Sequence, residues 1–427
     1  MTSGPQQPEL PPLSESWLPK EHALYKPRHG GRQRIALVCA LIFFAAPLLS
    51  LGVGIRPAEI DNRRLLSFPG LSNLYTQLPQ WAIDHLTFRS VALHAEDGVS
   101  RGVFGEAPSF QRGQQGVDPT QPDGNQGIVP VTREEIPPAI EGRNGWLYYG
   151  DDVVSRCIPA QKLSATIAAL QRLRGIVEAS GRQFVLIIAP DKSTVVPQNL
   201  PDSYPGKQCA QAATSAFWRQ VPAATGAIDL RSDLAAWGAQ LGHPVYPPQD
   251  GHWADEGAIT MTRALAEAVR PGASAGWVIQ PSQAWQTSAD LPPLIGHEGV
   301  DQGDYYALEP DGRTDATKNV GVDFTSTPDR LDGSNLPGTV PDNIAYLGDS
   351  FTIRALRYFN AAFTNITVMH YQDVTKDDGL AAGQVMAGAS VVAVELVERT
   401  LESGNSLMLR PEVLDGIARV LAAHPVH

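Results

Sequence analysis

The chain has 427 residues, 43% of them hydrophobic and 18% charged, which is enough to bury a sizeable core in one large domain plus appendages. A formal net charge of −12 speaks against a nucleic-acid binder, because no basic face is available to neutralise phosphates. An anionic polymer would also be repelled unless its site were locally basic.

Residues 1–34 are Pro-rich and lack apolar periodicity, so a disordered tail is expected there. From Ile35 to Ile55 the sequence "IALVCALIFFAAPLLSLGVGI" runs 21 residues without a charge. At about 1.5 Å per residue this covers about 31 Å, enough to cross a bilayer core, and Pro47 is tolerated inside a membrane helix. The competing reading is a cleaved signal peptide. Against it, the run is longer than an h-region, no Ala-x-Ala site follows, and 34 residues precede it. Lys20, Lys26, Arg28, Arg32 and Arg34 before the span outweigh Arg56, Arg63 and Arg64 after it, which places the N-terminus in the cytoplasm. The bulk of the chain is then an acidic domain outside the cell membrane.

Beyond the span, residues 56–135 read as a membrane-proximal helical segment, "QWAIDHLTFRSVALHAEDGVSRGVFG", followed by the Gly-, Gln- and Pro-rich stretch "QRGQQGVDPTQPDGNQGIVP", a flexible linker. From about residue 136 to 427 strands and helices alternate. "GWLYYG" is a short strand. Leu163, Ile167, Leu170, Leu173, Ile176 and Val177 recur at helical spacing until Gly181. "FVLIIAP", "AIDL" at 227, "IAYL" at 344, "ITVM" at 366 and "SVVAVELV" at 390 read as strands, the longest of them apolar enough to be buried on both faces. This alternation predicts a three-layer α/β/α domain, whose ligands sit beyond the C-terminal ends of the strands.

Cys39 falls in the apolar span, leaving Cys157 and Cys209 as the thiols of the outer domain. In an oxidising compartment they suit a disulfide, the alternative being two unrelated buried thiols. Neither has a Cys or His at ligand spacing, and no metal or other cofactor is expected.

"LGDSF" puts Ser350 on a turn after an apolar strand, where a small residue exposes its hydroxyl and the backbone N–H groups that follow are placed to hold an oxyanion. None of His370, His424 and His427 has an aspartate three residues before it, so a base from the C-terminal side is not indicated. Upstream, "YPPQDGHWADEG" offers Asp250 and His252, two apart, which reach the same side of an extended or turning segment. An aspartate there holds one imidazole nitrogen while the other faces the serine. The structural alternative is that Asp250 caps a helix starting near Ala254.

In this order, "DNRRLLSFP", "WAIDHLTFR", "GRNGWLYYGDD", "APDKSTVVPQNLP", "DGHWADEG", "LGDSF" and "VERTL" resemble the SGNH hydrolase-like proteins of the alginate O-acetyltransferase (AlgJ/AlgX-like) type. The resemblance implies an SGNH-hydrolase-like α/β/α domain of permuted motif order, with Asp250 and His252 ahead of Ser350. It also implies Ser350 as nucleophile, His252 as general base and then acid, and Asp250 as the group orienting the imidazole. Asp349 shapes the turn. Lys192 and Arg399, at the ends of two strands, and Trp253, as a stacking floor, are candidate substrate contacts, with solvated charge or core packing as their alternatives. The implied function is extracytoplasmic transfer of acetyl groups to a polysaccharide. The donor would be a multi-span membrane acyltransferase, since the chain shows no nucleotide or acetyl-CoA cradle. A carbohydrate acetyl esterase and a non-catalytic glycan-binding protein of the cell envelope are the alternatives. Residues 106–135 and 276–342 have no clear counterpart in that family.

Overall fold

A computed structural model of the protein describes residues 31–52, isolated positions between 78 and 99, and residues 131–426 apart from 320–323, 325 and 326. Nearly all of the tail expected over 1–34 and most of the segment and linker expected over 56–135 lie outside the described residues. The chain divides into two units, residues 1–59 with 64–90, and residues 60–63 with 91–427.

In the first unit, α1 (Gly31–Gly52) is a 22-residue helix over most of the apolar run. Ile35, Leu37, Val38, Leu41, Ile42 and Leu49 are exposed on it. Several of its other side chains are outside the described residues, and among the described residues no helix is long and apolar enough to cross a membrane.

The second unit opens with an antiparallel pair, β1 (Ala139–Glu141) and β2 (Leu147–Tyr149). Then come α2 (Gly150–Cys157), α3 (Leu163–Ala179), β3 (Gln183–Ala189), the single turn α4 (Lys192–Val195), α5 (Lys207–Thr225), β4 (Ile228–Asp229), α6 (Arg231–Leu241) and α7 (Asp255–Val269). A long antiparallel hairpin follows, β5 (Val278–Ser288) and β6 (Val300–Glu309). The chain then forms β7 (Asp329–Asp332), β8 (Val340–Gly348), α8 (Leu356–Ala362), β9 (Phe363–His370), α9 (Leu380–Ala387), β10 (Val391–Val397), α10 (Glu398–Glu402) and α11 (Pro411–Ala423).

Six of the strands form one sheet in the order β4-β3-β10-β8-β9-β7. All neighbours are parallel except the edge pair β7 and β9. Successive side chains of a strand point to opposite faces, and the sheet divides its apolar residues accordingly. Val185 and Ile187 of β3, Ile344 and Tyr346 of β8, and Ala393 and Val397 of β10 join one core, with Ile259, Met261 and Leu265 of α7. Leu186 and Ile188, Leu347, and Val392 and Val394 join the other, with Leu170 of α3, Phe217 of α5 and Ile417 of α11. Helices therefore cover both faces, as the alternating pattern predicts.

Helix α3 ends where expected, with Gly181 at a φ of +84° that a side chain would strain. Cys157 of α2 and Cys209 of α5 are joined by a disulfide, in a small core with Ile136, Ile140, Tyr148 and Val153. The hairpin β5–β6 and the edge strand β7 are not predicted from the sequence; they occupy the 276–342 region.

Candidate active site

The strand β8 ends at Gly348, and Asp349 and Ser350 open a short 3-10 turn to Ala355. A Cβ at Gly348 would lie 2.3 Å from Thr352 Oγ1 and 2.7 Å from the Tyr346 ring, so the strand end closes this tightly only with glycine. Asp349 fixes the turn from both sides. Its Oδ1 accepts the Phe351 N–H at 2.9 Å and its Oδ2 the N–H of Val397, at the end of β10, at 2.8 Å. Asp349 is thus committed to the backbone, as its turn-shaping role requires. The Phe351 N–H is committed with it, and the Thr352 N–H donates to the Asp349 carbonyl at 3.0 Å. The expectation that the N–H groups following the serine hold an oxyanion is corrected by these bonds, since a donor already paired inside the turn has no proton to offer.

His252 comes from the segment between α6 and α7. Its Nε2 lies 2.8 Å from Ser350 Oγ and its Nδ1 2.9 Å from Asp250 Oδ1, across a sequence separation of 98 residues between base and serine. Asp250 Oδ1 also accepts the His252 N–H at 2.8 Å, so the two-residue spacing closes a compact turn. Helix α7 starts at Asp255 with Ala254 as its N-cap and has no side-chain cap bond, so Asp250 does not cap it.

The same Nδ1 also lies 3.0 Å from Asp290 Oδ2. Asp290, in the loop joining β5 to β6, was not singled out from the sequence. "TSADLPP" reads there as an ordinary turn, and only the fold reveals that the turn comes back onto the histidine. Burial by itself would lower the His252 pKa, but hydrogen bonds and charge from Asp250 and Asp290 outweigh it and push the group up to about 10. Burial would raise Asp250, but His252 holds it down at about 2. The two carboxylates on Nδ1 therefore favour the protonated imidazole, while Nε2 faces the serine oxygen.

Three sequence candidates land differently from one another. Lys192 is buried to 1% exposure, its Nζ donating to the carbonyls of Pro248 (2.7 Å) and Asp250 (3.0 Å) and lying 4.9 Å above the Trp146 ring. Burial pushes its pKa down to about 7, against the pull of Asp301, Asp250 and Asp290. The substrate role expected for Lys192 is corrected on this evidence, because no ligand reaches its ammonium; it pins the His252 loop from below. Trp253 is corrected likewise. It is fully buried, packs edge-on against Phe351 at 5.0 Å and donates its indole N–H to the Phe351 carbonyl at 3.0 Å. Gly257 makes room for it, a Cβ there falling 2.4 Å from the Trp253 ring. Arg399, in contrast, reaches the site. It is bound to Asp191 at 2.8 Å, and its guanidinium lies 5.4 Å from the Phe351 ring and 5.2 Å from the Tyr149 ring.

Two groups among the described residues bring possible metal-ligand atoms together, Asp250 with His252 and Asp290, and Asp191 with Glu398 and Glu402. In the first, a histidine N–H region already sits between the carboxylates. In the second, Arg156 bonds all three acids at 2.6 to 3.0 Å and supplies the positive charge that a cation would bring. The arrangement is thus one of serine, histidine and carboxylates, suited to moving a proton off a hydroxyl that attacks an acyl carbon.

A family model described as "SGNH hydrolase-like domain, acetyltransferase AlgX" matches residues 139–365, just over half of the chain. Probable alginate O-acetylases AlgJ of Azotobacter vinelandii and of Pseudomonas syringae pv. tomato are each 26% identical to it, over 140 and 136 residues. Those matches cover 32% of this chain and 35% and 34% of the relatives, so the chain spans about a third of the length of the curated relatives it matches. Among solved structures, the O-acetyltransferase domain of Pseudomonas putida AlgJ aligns with 19% identity and a TM-score of 0.41, over 66% of this chain and 99% of that one. Pseudomonas aeruginosa AlgX aligns with 13% identity and a TM-score of 0.42, over 65% of this chain and 66% of that one.

Proposed function

This chain belongs to the SGNH hydrolase-like family of the acetyltransferase AlgX, and on that premise we propose that it is an O-acetyltransferase working through an acyl-serine at Ser350. The observation that carries the proposal is the placement of His252, with Nε2 at 2.8 Å from Ser350 Oγ and Nδ1 at 2.9 Å from Asp250 Oδ1. In the neutral form, Nε2 takes the Ser350 proton as Oγ attacks the acetyl carbonyl of a donor. The resulting imidazolium, stabilised by its carboxylates, returns the proton to the leaving oxygen. The acetyl-serine is then attacked by an acceptor hydroxyl whose proton passes to the same Nε2, and collapse regenerates Ser350. Water in place of the acceptor gives an esterase by the same steps.

The acceptor in this reading is a hydroxyl of a cell-surface or secreted polysaccharide, as the names of the AlgJ relatives suggest. The donor is a multi-span membrane acyltransferase that carries acetyl groups across the bilayer. Membrane attachment belongs to the same proposal and is supported by the uncharged run 35–55 and by the exposed apolar side chains of α1. In the same reading the α/β domain lies outside the cytoplasm, on the side opposite the basic residues that precede the run.

The test is to trap the intermediate. An activated acetyl ester is expected to add one acetyl group to the peptide containing "LGDSF", an adduct lost in Ser350→Ala and formed orders of magnitude more slowly in His252→Ala. Oligosaccharide acceptors should discharge it faster than water does. Equal ester turnover in wild type and Ser350→Ala would leave a glycan-binding role as the better account.

A further inference from the structure

We propose that Asp290 is a positioning residue for the reaction, a second carboxylate that shares His252 Nδ1 with Asp250 and sets the pH at which Ser350 becomes a nucleophile. The inference rests on the reading of Ser350 as nucleophile and of His252 as its base. Its ground is geometric. The two carboxylates approach one ring nitrogen at 2.9 and 3.0 Å, so a single N–H is shared between them.

Asp290 is held in place by a built contact rather than by chance approach. Its Oδ1 accepts the Gly251 N–H at 2.8 Å, inside the Asp250–His252 turn. The next residue, Leu291, donates its N–H to the Gln249 carbonyl at 3.2 Å, and Ala289 donates to Gly299 at 3.0 Å across the base of the loop. Leu291, Leu294 and Ile295 bury their side chains against Ala139 and Leu147 of the β1–β2 pair. The hairpin insertion between α7 and β8 thus delivers a charge to the catalytic histidine and anchors it on both sides.

Two anions on Nδ1 favour the imidazolium more than one does, and the base form of His252 then appears only at a higher pH. The other charges facing this histidine come from several elements. Lys192 of α4 donates to the Asp250 carbonyl, Asp301 of β6 accepts the Gln249 N–H, Arg354 lies over the Trp285 ring, and Arg399 lies 5.4 Å from the Phe351 ring. These cations oppose the carboxylates only in part, because Arg354 is paired with Asp255 and Arg399 with Asp191.

The test compares the full-length protein, purified in detergent, with Asp290→Asn and Asp290→Glu. Asparagine removes the charge and keeps one acceptor oxygen, which can serve the Gly251 N–H or Nδ1 but not both, since its NH2 takes the other position. The first readout is the His252 titration by NMR on histidine-labelled protein, assigned through His252→Gln. The second is the pH profile of Ser350 sulfonylation by phenylmethylsulfonyl fluoride, followed by mass spectrometry. Asp290→Asn is expected to lower the midpoint by one pH unit or more in both, and each unit gives about a tenfold gain in the base form below the wild-type midpoint. The variant should therefore label Ser350 faster than wild type at low pH, and Asp290→Glu should restore much of the original midpoint. A merely structural role would lower the whole profile without moving it. An unchanged His252 midpoint in Asp290→Asn overturns the inference. If wild-type Ser350 resists the reagent at every pH, the nucleophile reading falls, while the NMR midpoint still decides the role of Asp290.

Discussion

Lys192 and Trp253 look from the sequence like groups that reach out to a ligand, and both turn inward. Trp253 supports the serine turn, because its indole N–H holds the carbonyl of the residue next to Ser350. Trp253→Phe should leave that carbonyl without its donor in a dry site and destabilise the domain by about 1–3 kcal/mol, seen as a lower melting temperature together with slower acylation of Ser350. A platform for a sugar would give the opposite pattern, weaker acceptor saturation at unchanged stability. Asp250 and His252 were legible as a pair from their two-residue spacing, while Ser350, 98 residues further on, was linked to them only by the resemblance in motif order. The directions of Lys192 and Trp253 were not, since a strand end or a turn gives the position of a residue without the side of the loop its chain takes. Asp290 was hidden for a different reason: its partner lies 38 residues away, and nothing local distinguishes it from a turn aspartate.

Five of the six strands of the main sheet, all but the edge strand β7, were readable because burial on one or both faces imposes an apolar run or an alternation. The hairpin β5–β6 carries no such mark. In β5, Gln280, Gln283, Gln286 and Thr287 are exposed along with Pro281 and Ala284, and Trp285 alone is buried, so no period of two develops. Between helices, the Cys157–Cys209 bridge ties α2 to α5 across 52 residues of sequence. In the chain-entropy model a loop of this size contributes roughly 3 to 4 kcal/mol. The Cys157→Ser/Cys209→Ser protein, or the reduced wild type, should melt several degrees lower. Both thiols of the oxidised protein should also resist alkylation before reduction. Ready labelling of both in the folded, unreduced protein would show that the bridge does not form in the cell.

At the scale of the whole molecule, the chain has an apolar N-terminal helix and an acidic α/β domain, and the residues after position 34 carry a net −14 against +2 for those before it. Protease added to intact spheroplasts should digest the bulk of the protein and leave a small membrane-protected fragment around residues 35–55. Complete protection would reverse the orientation proposed for it. The order of strands in the main sheet carries a further consequence. The strand β10 lies between β3 and β8, yet it is the last strand of the sheet to be synthesised. Until it arrives, β3 with β4 and β8 with β9 and β7 are two separate sheets with open edges. The hydrogen bond from Val397 to Asp349, which fixes the serine turn, cannot form before that moment. The serine turn is therefore completed by a keystone, and the candidate site stays unassembled until β10 has taken its place between β3 and β8.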